Sequence, residues 1–180
     1  DAITGTPLWE SVTDPKGTGA NDYAWAVKAR GNRVFVLGEI GDMTGLLLRS
    51  YDAMTGAIQW EQQVPGATNY TIKDTLAVDR EQVYIGGADM NGDLLVRAYS
   101  GRSGALRWAD QIEDGERVGV ATALTVDEED GESRLFATGV IGCDPATFLD
   151  CKLAVRAYKP RQGLIWQRAD DARGGDWFGH

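Results

Sequence analysis

The sequence predicts an all-β protein, a β-propeller fragment of about three four-stranded blades preceded by one outer strand. Three observations carry this: a long internal repeat, strand-like patterning between the repeat copies, and a glycine turn followed by tryptophan in every copy. The repeat is the strongest, because self-similarity at a fixed period decides the whole architecture. LLLRSYDAMTGAIQW at 46–60 returns as LLVRAYSGRSGALRW at 94–108 and as LAVRAYKPRQGLIW at 153–166. DAITGTPLW at 1–9 is a copy without its first half. The turn glycines Gly5, Gly56, Gly104 and Gly163 follow one another at 51, 48 and 59 residues, a period that fits four short strands with turns.

Each copy reads as strands A to D. Strand A is 24–29, 75–79 or 121–127, and strand B is 34–40, 82–87 or 134–141, both rich in β-branched and aromatic residues. No segment holds a 3.6-residue period over three turns, so helices are not expected. The B strands are apolar at consecutive positions, which implies burial on both faces, as stacked blades provide. Strand C alternates: Leu47, Arg49 and Tyr51 share one face, as do Leu95, Arg97, Tyr99 and Ala154, Arg156, Tyr158, with Ser50, Ala98 and Ala157 opposite. An Arg in every copy reads as part of the module, its stem packed and its head paired with acidic groups, rather than as a ligand ring. In the C–D hairpin the glycine takes the left-handed position of a tight turn, and the tryptophan follows on strand D as an apolar anchor.

The boundaries follow from the copies. Residues 1–180 form a single partial propeller: 1–12 the last strand of a preceding blade, 20–64, 70–112 and 119–170 the blades, and 171–180 the start of a next blade. Three blades with open ends cannot close a ring, so the fragment is expected to belong to a larger propeller or to be completed by another chain.

Composition bounds the function. With 43% apolar and 25% charged residues this is an ordinary globular composition. No apolar run approaches the roughly 18 residues that suggest a membrane-spanning helix. A net charge of -9 disfavours nucleic acid and anionic lipid surfaces.

The pattern DAxTGxxxW, present at 1–9 and 52–60 and degraded at 100–108 and 159–166, resembles the tryptophan-docking repeat of the PQQ-like, or quinoprotein alcohol dehydrogenase-like, propellers. The resemblance implies that Trp9, Trp60, Trp108 and Trp166, with Gly5, Gly56, Gly104 and Gly163, dock each blade on the next. Enzymes of that family bind pyrroloquinoline quinone with calcium beside a disulfide of adjacent cysteines and an Asp base. This chain has no adjacent cysteines, and neither the base nor calcium ligands can be placed on any residue, so no catalytic, cofactor or metal residue is assigned.

Departures from the repeat are the remaining candidates. Cys143 and Cys151 flank a B–C hairpin, and a disulfide is expected there, which points to an oxidising compartment, periplasmic or secreted. The acidic segment 127–132 reads as a solvated A–B turn and DMNGD at 89–93 as a hairpin turn, each ahead of a calcium loop. Trp25 reads as core near the propeller axis. His180 is the only histidine, so no His-based triad and no multi-histidine metal site can be assembled from this chain. The expected function is therefore a non-catalytic extracytoplasmic interaction or structural module with a protein partner. A partial view of a quinone-dependent dehydrogenase is the alternative. A carbohydrate-binding propeller, for which only Trp177 and Phe178 offer clustered aromatics, is weaker.

Overall fold

A computed structural model describes residues 3–14, 17, 21–41, 45–67, 74–112, 118–147 and 149–171. The described residues form three four-stranded antiparallel sheets and no helix. The first holds β1 (Tyr23–Arg30), β2 (Arg33–Ile40), β3 (Gly45–Asp52) and β4 (Ile58–Pro65). The second holds β5 (Leu76–Val78), β6 (Gln82–Ala88), β7 (Leu94–Ser100) and β8 (Leu106–Ile112). The third holds β9 (Val118–Glu129), β10 (Glu132–Cys143), β11 (Lys152–Lys159) and β12 (Gly163–Asp171). Every sheet is a meander in chain order, the arrangement of a propeller blade.

The core lies between blades, not within them. Side-chain alternation sends neighbouring residues of the middle sheet to opposite neighbours. Val83, Ile85 and Leu95 join Phe35, Leu48 and Trp60 of the first blade, while Tyr84, Leu94 and Val96 join Leu124, Leu135 and Tyr158 of the third. This accounts for the consecutive apolar residues of strand B: all seven residues of β6 are buried. The inner strands β1, β5 and β9 are neighbours in space. Leu124 N donates to Asp74 O at 2.8 Å beside a parallel bridge between Asp74 and Ala123.

The third blade is longer in part because its A–B hairpin is extended. Residues 127–132 are all exposed and hold the A–B turn, as expected, but most of them belong to strands. Asp127 to Glu129 continue β9, Glu132 opens β10, and only Asp130 and Gly131 make the turn, both at positive φ (52° and 81°). Arg134 reaches both Asp127 and Glu129 at 2.6 Å, so the acidic residues lie along a ladder edge with a cation between them. The 89–93 segment is a hairpin turn, with Gly92 at φ +82° and Gly92 N donating to Asp89 O. Residues 3–14 precede the first sheet and are in no strand ladder. The proposed start of a further blade at 171–180 lies, after Asp171, outside the described residues, together with Trp177, Phe178 and His180.

Candidate functional site

The C–D hairpins are where sequence, turn chemistry and blade contact meet. In the first, Asp52 Oδ1 accepts from Met54 N, Thr55 N and the Thr55 hydroxyl at 2.9–3.0 Å, which holds its carboxyl below the usual carboxylate range. Gly56 N then donates to Asp52 O, and Asp52 N donates to Ala57 O. The second hairpin repeats the backbone bonds, Gly104 N to Ser100 O and Ser100 N to Ala105 O. All four turn glycines are left-handed, Gly5, Gly56, Gly104 and Gly163 lying at φ +71° to +79°, where a Cβ is strained.

The three later turns each meet the tryptophan of the copy before them. Trp9 Nε1 donates to Ala53 O at 2.9 Å, Trp60 Nε1 to Gly101 O at 3.0 Å and Trp108 Nε1 to Pro160 O at 2.8 Å. The acceptor is the same turn position in each blade. A Cβ on Gly56 would fall 2.6 Å from the Trp9 indole, and one on Gly104 2.8 Å from that of Trp60. The rings also lie on the strand C tyrosines: Trp9 stacks on Tyr51 (centroids 5.7 Å) and Trp108 on Tyr158 (5.1 Å). On its own blade each strand D tryptophan sits opposite the small strand C residue, Ser50, Ala98 or Ala157, which leaves room for the indole.

The third hairpin departs from this pattern. Gln162 N donates to Lys159 O and Gly163 pairs directly with Lys159, a tighter turn, and nothing lies within 4 Å of a Cβ built on Gly163. Lysine has no side-chain acceptor with which to cap the turn as Asp52 does. The signal was present in the sequence, since three residues rather than four carry the chain from Gly163 to Trp166. Gly5 likewise has nothing within 4 Å, and Trp166 is 47% exposed beside Phe136.

Two of the three strand C arginines reach carboxylates, while the Nε of the third, Arg97, is buried without a hydrogen-bond partner. Arg49 Nε contacts Glu61 at 2.6 Å and its Nη1 donates to Thr13 at 2.5 Å. The Arg49 guanidinium lowers the Glu61 pKa. Arg156 crosses to Asp110 of the second blade at 2.8 Å, and the same carboxylate accepts from the Tyr158 hydroxyl. Burial is the main cause of the raised Tyr158 pKa. Tyr84, also raised chiefly by burial, donates to Asp79 Oδ2 at 2.6 Å. Trp25 is half-buried, stacks on Tyr23 and donates Nε1 to Glu39.

A cavity of about 420 Å³ lies between residues 9–13 and the open face of the first blade, with Val36, Leu47, Arg49 and Tyr51 in its wall. It lies on the face that meets Trp9. Cys143 and Cys151 form a disulfide across the β10–β11 connection, eight residues apart in sequence. Adjacent cysteines would be needed to match the quinone-side disulfide of the resembling enzymes. Among the described residues no three His, Cys, Asp or Glu are gathered to hold a metal ion.

The family model PQQ_2, described as outer membrane protein assembly factor BamB, matches residues 1–143. The chain belongs to this PQQ-like propeller family. No curated protein matches it. In fold it is similar to a europium-containing methanol dehydrogenase (TM-score 0.59, 14% identity, 78% of this chain and 31% of the other). It is also similar to the quinohemoprotein alcohol dehydrogenase ADHIIG from Pseudomonas putida HK5 (0.55, 16%, 79% and 26%). A third is the quinohemoprotein alcohol dehydrogenase from Comamonas testosteroni (0.52, 12%, 84% and 37%). The chain spans 26–37% of the length of these structures, and the likeness concerns the fold alone. Within the described residues of this PQQ-like propeller, no helix is long and apolar enough to cross a membrane.

Proposed function

We propose that this PQQ-like propeller is a non-catalytic interaction or structural module of an extracytoplasmic compartment, periplasmic or secreted. The observation that carries the reading is the use made of the repeated polar groups. The indole N–H of three copies and the Arg156 and Tyr158 heads of the third blade are taken up by the neighbouring copy, so the repeat serves packing. In this reading Trp9, Trp60, Trp108 and Trp166, with their turn glycines, dock the blades, and residues 1–180 are one partial propeller. The Cys143–Cys151 disulfide supports an oxidising compartment. The description of the matching family as an outer membrane assembly factor fits a binding role better than a chemical one.

Protein partners follow from the exposed blade faces. Trp166, Ile165 and Leu164 are each more than two-fifths exposed on the third blade, and the cavity beside Tyr51 opens on the first. Further blades or another subunit would cover them.

The competing reading is a dehydrogenase whose quinone and catalytic residues lie outside this sequence. Full-length protein supplied with pyrroloquinoline quinone and calcium tests the two. The module reading predicts no bound-quinone absorbance and no dye reduction with alcohols or sugars, and substrate-dependent dye reduction would replace it with the enzyme. For the compartment, intact mass of native protein without reductant should show Cys143 and Cys151 oxidised, and two free thiols would remove the argument for export.

A further inference from the structure

An arginine-lined cleft lies at the end of the blades where the A–B and C–D turns gather. It has a volume of about 580 Å³ and runs between the first and second blades. Arg30 ends β1, Arg33 opens β2, Arg80 sits in the β5–β6 turn, Arg102 in the β7–β8 turn and Arg107 on β8, and all five line it. Five guanidinium groups in one cleft stand out in a chain of net charge -9.

The carboxylates nearby leave part of this charge uncompensated. Asp79 is buried, and its oxygens accept from Glu81 N, Gln82 N and the Tyr84 hydroxyl. Glu81 is paired with Arg161 on the other side of the turn. Glu128, reaching across from β9, takes Arg30 at 2.8 Å and Arg80 at 3.7 Å, and Arg33 donates to Ser50. Asp52 lies close enough to Arg33 to feel its charge. Arg102 and Arg107, both exposed, form no ion pair with any described residue, unlike Arg49, Arg134, Arg156, Arg161 and Arg168.

We propose that this cleft is the docking site for a short acidic peptide segment of a partner protein. The proposal rests on the interaction-module reading and names its surface. Guanidinium groups take carboxylates in paired hydrogen bonds, which gives both affinity and orientation. Guanidinium groups placed on two blades and three turns suit several carboxylates spaced along an extended chain. The acidic remainder of the molecule repels large polyanions, whereas a short segment can enter the cleft.

The test uses full-length protein and a fluorescein-labelled decapeptide of alternating Glu and Ser, read by anisotropy. Binding should weaken with salt. It should fall about tenfold or more in Arg102→Glu/Arg107→Glu and by less in Arg102→Gln/Arg107→Gln, while Arg134→Glu/Arg168→Glu changes it less than about twofold. The Gln pair keeps the test valid if charge reversal impairs folding, which the melting temperature of each variant reports. The proposal is overturned by equal binding to all variants, by equal binding of a Gln-for-Glu peptide, by no peptide binding, or by inorganic phosphate binding in place of the peptide. A partner protein retained unchanged by the Arg102/Arg107 variants would overturn the cleft and leave the module reading standing. Substrate-dependent dye reduction would overturn that reading itself.

Discussion

Gly104 answers two demands at once: its φ of +72° suits a residue without a Cβ, and the Trp60 indole lies where a Cβ would go. Gly163 answers only the first, at φ +79° with nothing near. Replacing each by alanine separates the two demands. Gly104→Ala should cost about 2–4 kcal/mol, combining backbone strain with overpacking against the ring, and Gly163→Ala about 1 kcal/mol. Denaturant melts of both variants in the full-length protein measure the difference, and equal losses would mean that the ring contact adds nothing. The turn glycines were legible from the repeat because a left-handed position selects glycine strongly. The different turn at Lys159 was legible only in the shortened Gly163-to-Trp166 spacing, since the spacing of the glycines alone does not report which residue caps the loop.

At the scale of elements, strand B was legible because burial on both faces leaves an unbroken apolar run, as in β6. The extension of β9 and β10 was not, because Asp127, Glu128 and Glu129 have turn-like composition, and Asp127 and Glu129 are held by Arg134, a partner that lies beyond the turn. Two devices fix the connections. The Cys143–Cys151 bond closes a short loop and should contribute about 2.5 kcal/mol, so the double Ser variant should lose that amount in a melt, and an unchanged midpoint would contradict it. Asp52 and Glu61 both have pKa values lowered in the fold, the first by turn N–H groups and the second by Arg49. Their stabilisation is complete above the unfolded carboxylate pKa and is lost as pH falls through the lower folded values. The melting temperature should therefore decline as pH falls below the ordinary carboxylate range, and Asp52→Asn should flatten that decline. An identical acid profile for Asp52→Asn would remove the hairpin cap from the account.

For the whole molecule, the stabilising core lies between blades and the distinguishing chemistry lies in residues that do not repeat. The first half was legible from four copies of one pattern. The arginine cleft was not, because Arg30, Arg80 and Arg102 come from different turns that only the stacking of blades brings together. The central claim is that one indole per blade fastens it to the next. Trp60 is almost wholly buried and Trp108 lies between Tyr84 and Tyr158. Equilibrium denaturation of Trp60→Ala and Trp108→Ala in the full-length protein tests the claim most directly: a loss of about 3–5 kcal/mol in each is predicted, and a loss below about 1 kcal/mol would contradict it.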